Sequence, residues 1–163
     1  MSTNFLNKGQ SLIEVIVAVS IFIIIATTGA VAVLGSFSTT RQGKEQTQAT
    51  FLAREGIEAV DSIRNQSWNF LVNGAHGLSN SSGLWSFSGS SDKDPSGKFS
   101  RVVTISDIQR NGDGDVVSSG GTVDPNTKAV RVIVTWNFTP ARTNSIEFNS
   151  LLTNWQLSSN SVK

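Results

Sequence analysis

Three groups of residues in this 163-residue chain have types and spacings that could do chemistry. The first is Lys8-Gly9-Gln10-Ser11-Leu12-Ile13-Glu14, near the N terminus. Gly9 carries no side chain, so a protease can bring its groups close to the backbone there. Glu14 stands at the mouth of an apolar run, and an ionisable residue in such a place marks function by default. The second group is Asn111-Gly112-Asp113-Gly114-Asp115. Oxygen ligands at every second position suit a hard cation such as calcium, which makes Asn111, Asp113 and Asp115 candidates. An EF-hand loop would require Gly at 116 and Glu at 122, where this chain has Val116 and Thr122. A hairpin turn draws on the same residue types, and that reading is favoured. The third is His76, the one histidine, in a glycine-flanked loop and read as solvated.

Composition closes off other chemistry. There is no cysteine, so disulfides, thiolate metal sites and a cysteine nucleophile are excluded. One histidine cannot build a multi-histidine metal site. Thirteen Lys and Arg against twelve Asp and Glu leave +1, which offers no electrostatic footprint for nucleic acid. No nucleophile–base pairing is legible, so neither an enzyme nor a cofactor is expected. Trp68, Trp85, Trp136 and Trp155 read as core or edge packing rather than a ligand surface.

The elements that must position these residues begin with an apolar block. Val15 to Leu34 is 20 residues without a charge, and the charge-free stretch runs on to Thr40. About 20 apolar helical residues cross the roughly 30 Å hydrocarbon core of a bilayer. The block is too long for the h-region of a secretory signal peptide, and Glu14 stands at its start. From Arg41 helical spacing persists, with Ala49, Leu52, Ala53, Gly56, Ile57, Val60 and Ile63 on one stripe. Lys44, Glu45, Gln48, Glu55, Glu58 and Asp61 fall mostly on the other face. No proline interrupts residues 1 to 94, so one helix of roughly 80 Å is predicted from about Ser11 to about Asn65.

The N-terminal pattern resembles the class III signal of type IV prepilins and pseudopilins. A short polar leader ends in Lys8-Gly9, four residues follow, then Glu14 and the apolar run. The resemblance implies a prepilin peptidase that cuts between Gly9 and Gln10 on the cytoplasmic side. Residues 1–9 would be lost, and Gln10 would open a 154-residue mature chain with Glu14 as its fifth residue. It implies N-methylation of Gln10, although the family most often has Phe there. It also implies that Glu14 pairs with the amino terminus of a neighbouring subunit, fixing axial register in a filament. Lys8 would hold the leader in the cytoplasm. Where major pilins often carry a proline, this chain has Val31, and Thr27-Thr28-Gly29 is the expected weak point. The stretch Phe51 to Asn65, followed by Trp68, is similar to minor pilins of the pilus-modification type.

The rest of the chain predicts a sheet. Residues 69–98 read as a Ser/Gly-rich connection, in which Leu84, Trp85 and Phe87 could form a short strand or anchor the loop. Phe99 to Ile108, Ala129 to Phe138 and Ser145 to Trp155 carry strand alternation. Breaks are predicted at 111–114, at Gly120-Gly121, at Asp124-Pro125-Asn126 and at Pro140. The expected fold is α+β: a long helix whose second half covers an antiparallel sheet of three or four strands in residues 99–163. Without cysteine, packing alone must hold that sheet. Residues 10–40 are the membrane and assembly half of the helix, and 41–68 its amphipathic half.

The expected function is that of a pilin-like structural subunit, most like a minor pilin. Its partners would be the prepilin peptidase, the cytoplasmic membrane, other pilin subunits and the pilus assembly platform. It would wait as a single-pass protein with its N terminus in the cytoplasm, then join a cell-surface filament. A pseudopilin of a secretion or competence system shares every N-terminal feature. A membrane-anchored binding domain that never polymerises is the alternative of another class.

Overall fold

The computed structural model describes the backbone of residues 6–155 and the side chains of residues 12–155. The chain divides into two compact units, Met1–Lys44 and Glu45–Lys163. One uninterrupted helix, α1 (Leu6–Gln66), contributes to both. Its C-terminal end falls one residue past the predicted Asn65. Its N-terminal end starts earlier than the predicted Ser11, so Lys8, Gly9 and Gln10 lie in helical backbone. Their side chains, and residues 1–5, lie outside the described residues.

In the second unit, the Ser67 amide donates back to Ile63 O at 3.1 Å, and the Ser67 side chain accepts the Asn69 amide at 3.3 Å to cap one 3₁₀ turn, Trp68–Phe70. Four short strands follow: β1 (Gly74–His76), β2 (Leu78–Ser79), β3 (Ser86–Phe87) and β4 (Asp92–Lys93). The segment read as a connection is therefore stitched down, and Phe87 does form a short strand. Then come β5 (Phe99–Arg110), β6 (Val116–Val117), β7 (Thr122–Thr139) and β8 (Arg142–Thr153). The long strands β5, β7 and β8 form the predicted antiparallel meander. β1, β4 and β6 pair with the other side of β5, while β2 and β3 make a separate ribbon.

The predicted break at Asp124-Pro125-Asn126 is not there, because β7 runs through it. Backbone carbonyls in this stretch are used from outside the β5 ladder. Pro125 O accepts the Trp68 indole at 3.1 Å, and Asn126 O accepts the Asn154 amide at 2.9 Å. The ladder between β5 and β7 is irregular here, so the N–H that Pro125 lacks is not missed. The break at Pro140 is a tight hairpin between β7 and β8, as predicted.

The core joins the helix stripe to one face of the sheet. Ala49, Ala53, Ala59, Val60 and Ile63 meet Phe99, Val103, Ile105, Val130, Val132, Val134 and Trp136, all buried. Alternation explains the strand members, since residues two apart share a face. Gly56 lets the helix lie close against the sheet. A Cβ there would stand 2.8 Å from Val132 Cγ1 and 3.3 Å from Arg101 Cδ.

Candidate functional site

The first candidate region is the apolar part of α1. Every residue from Leu12 to Arg41 is exposed, including Phe22 at 70% and Phe37 at 69%. Fold-internal burial does not account for this surface. The helix is long and apolar enough to cross a membrane. Four of its hydroxyls are tied down locally. Ser20 Oγ donates to Ile16 O at 2.7 Å, Thr27 Oγ1 to Ile23 O at 2.7 Å, and Thr39 Oγ1 to Gly35 O at 3.1 Å. Thr28 bonds Ile24 O in the same way. Each hydroxyl thus brings its own acceptor, which an apolar surround demands. Glu14 sits on this exposed helix, two residues after the first described side chain. The helix is continuous through Thr27-Thr28-Gly29 in this isolated chain.

The second region is the polar work inside the Glu45–Lys163 unit. Arg101, 6% exposed, occupies a core-facing position of β5. Its guanidinium makes a bidentate pair with Asp92, Nη2 to Oδ2 at 2.8 Å and Nε to Oδ1 at 3.3 Å. Its Nη1 reaches Glu55 Oε2 at 2.9 Å and Leu52 O at 3.0 Å. One side chain therefore ties α1, β4 and β5 together. Sequence alternation could have found it, since FSRVVTI puts an arginine among inward residues. Glu45 corrects an expectation: it is buried and pairs with Lys98, not on the polar face. It lies one turn before Ala49 on the same stripe, and Lys98 compensates its charge.

The Asn111–Asp115 segment is the turn that was favoured. Asn111 Oδ1 accepts the amides of Asp113 at 3.0 Å and Asp115 at 2.8 Å. Asn111 N–H donates to Asp115 O at 3.0 Å, and Gly114 takes φ +87, a conformation suited to glycine. The Asn111 side-chain oxygen is thereby committed to its own loop. Among the described residues, no group of three His, Cys, Asp or Glu is placed to hold a metal ion. His76 is more integrated than its flanking glycines suggest. Its ring stacks on Phe87 at 4.4 Å, and Nε2 lies 2.8 Å from Val72 O.

Of the tryptophans, Trp136 is core, Trp68 and Trp85 pack against it, and Trp155 is 53% exposed. Trp85 also lines an apolar cavity of about 310 Å³ with Ile63, Phe70, Val72 and Phe87. Asp124 and Asp107 are among the carboxylates held below their ordinary range. The Arg110 guanidinium, then the Asn126 amide and the Thr127 hydroxyl, lower Asp124 to about 2. Hydrogen bonds from Lys128 and then Asn73 lower Asp107. The cluster Asn73–Asp107–Lys128 was not foreseen, because its members are far apart in sequence.

No protein-family model, curated protein or solved structure matches this chain. The architecture, one long apolar N-terminal helix and an antiparallel sheet, is compatible with a pilin-like fold.

Proposed function

We propose that this protein is a type IV pilin-like structural subunit, of the minor-pilin kind, that assembles into a surface filament. The observation that carries the reading is the charge-free, fully exposed helix surface from Val15 to Thr40, opened by Glu14 and preceded by Lys8-Gly9-Gln10. Such a surface needs lipid before assembly and neighbouring helices after it. Removal of residues 1–9 would create an amine at Gln10. In low dielectric that amine and the Glu14 carboxylate of a neighbour attract strongly. The pair sets register, while apolar contacts supply the area. The head, with its own core, is what the filament displays. Membrane insertion has the N terminus in the cytoplasm, and the prepilin peptidase and assembly platform act on that side.

N-terminal mass spectrometry of the protein from its native membrane tests this. A mature chain starting at Gln10 is expected; an intact Met1, or a cut near Ala30, defeats the reading. In the Glu14→Ala variant, processing should persist while filament incorporation is lost. Normal incorporation of that variant would overturn the pairing mechanism.

A further inference from the structure

Three side chains from separate parts of the head form a closed hydrogen-bonded triangle. Lys128 Nζ lies 2.8 Å from Asn73 Oδ1 and 2.5 Å from Asp107 Oδ1. Asn73 Nδ2 donates to Asp107 Oδ2 at 2.6 Å. Each Asp107 oxygen thus serves one partner, and the two partners also touch each other.

The fold builds this triangle from three elements. Asp107 and Lys128 are ladder partners on β5 and β7. Lys128 continues the core-facing register of Val130, Val132 and Val134, and its side chain is only 15% exposed. The β5–β7 register shifts just after Asp107, and bulges of this kind re-aim side chains. Asn73 is delivered by β1, whose pairing of Gly74 with Ile105 anchors the chain beside β5. Gly74 has φ +131, which a side chain would strain, and so permits the bend that brings Asn73 in.

We propose that Lys128 and Asn73 are the precursors of an intramolecular isopeptide cross-link, with Asp107 as the proton relay. An amine, an amide carbonyl and a bridging carboxylate at these distances are the complete set of groups that the reaction uses. The Asn73 carbonyl is polarised by Nζ–H, and its –NH₂ faces Asp107. Lys128 passes a proton to Asp107 Oδ1, and the Nζ lone pair attacks Asn73 Cγ. The Nζ–Cγ bond forms and the Cγ–Nδ2 bond breaks. Asp107 returns that proton to the departing nitrogen and then relays the second Nζ proton to it, so that the amide nitrogen leaves as one ammonium ion. No oxidant, metal or co-reactant is consumed. The resting state is the Lys128–Asp107 ion pair, so the step is a slow single turnover. The product joins positions 55 residues apart and supplies the covalent tie that a chain without cysteine lacks.

The test is tryptic peptide mapping by mass spectrometry of the full chain purified in detergent, before and after incubation at about pH 9, nearer the ordinary lysine pKa. The expected product is peptide 65–93 joined to peptide 111–131, lighter than their sum by one ammonia, with no cleavage after Lys128. Its fraction should rise on incubation and fall to zero in Lys128→Arg and Asp107→Asn. Both substitutions nearly conserve size, and circular dichroism confirms that each variant is folded. Separate peptides with full cleavage after Lys128, even after incubation, would overturn the proposal. So would a link that has lost water instead, which makes Asp107 the acyl donor. Loss of ammonia within peptide 65–93 alone, by cyclisation of Asn73 onto the Gly74 amide, would overturn it too. None of these outcomes bears on filament assembly.

Discussion

The two stretches of α1 obey the same helical geometry and meet opposite fates. From Leu12 to Arg41 every side chain is exposed and the surface is apolar all round. From Glu45 to Ile63 one stripe is buried to the last few per cent and the rest faces water. A stripe needs one covering surface, and the chain supplies it as its own sheet. An all-round apolar surface cannot be covered by one small sheet, so its cover must come from outside the chain. The polar groups differ in the same way. Ser20, Thr27, Thr28 and Thr39 in the first stretch donate to carbonyls one turn back, whereas Glu45 and Glu55 in the second reach partners 53 and 46 residues away.

This contrast breaks most sharply at matched phenylalanines. Phe99 is 2% exposed and Phe22 is 70% exposed. Phe99→Ala should cost about 3–5 kcal/mol in chemical denaturation of the head, the range for emptying a buried aromatic site. Phe22→Ala should leave that transition unmoved, and any loss it causes should appear only in incorporation into the proposed filament. A shared effect on head unfolding would mean that the two stretches are not energetically separate.

The next effect concerns charge rather than volume. Arg101→Ala leaves Asp92 and Glu55 without their cation beside a nearly closed core. We expect a loss of about 2–4 kcal/mol, toward the lower end because Glu55 is about half exposed. Arg101→Met, which keeps the packing of the stem, should recover part of it. Equal losses in the two variants would show that the ion pairs, not the packing of the stem, are what Arg101 contributes, and full recovery in Arg101→Met would show the reverse.

A smaller effect follows acid. Asp124 has a folded pKa lowered from 3.8 to about 2, so its contribution is fully present above the unfolded value. That contribution is lost as pH falls through the folded value. The thermal midpoint of the head should therefore drop between about pH 4 and about 2, more steeply than in Asp124→Asn. Parallel acid limbs in the two proteins would remove Asp124 from the account. The apolar stretch should show no part of this dependence.

Much of this was legible in the residues. The period-3.6 stripe located the helix contacts from Ala49 to Ile63, and period-2 alternation located Val130, Val132, Val134 and Trp136 on one face. Patterns of this kind are local, and burial follows them because covering apolar area dominates the energetics. Long-range pairing was not legible. Glu45 looked like a surface residue because its compensating Lys98 lies 53 positions on. The short strands between residues 74 and 93 carry weak alternation; β1 and β4 exist because β5 offers an open edge, and β2 and β3 because they pair with each other. Asp124-Pro125-Asn126 reads as a turn, yet the paired strands around it hold it extended.

The sequence by itself determined a charge-free helix that must be surrounded, the glutamate at its start, an α+β head, and the absence of any disulfide. Periodicity and composition suffice for these, since each depends on neighbours within a few residues. Only the tertiary structure decided that Arg101 bridges helix and sheet, and that Asn73, Asp107 and Lys128 meet within hydrogen-bond reach. Those contacts depend on strand register and on where a bulge falls, and register is set by many weak pairings at once.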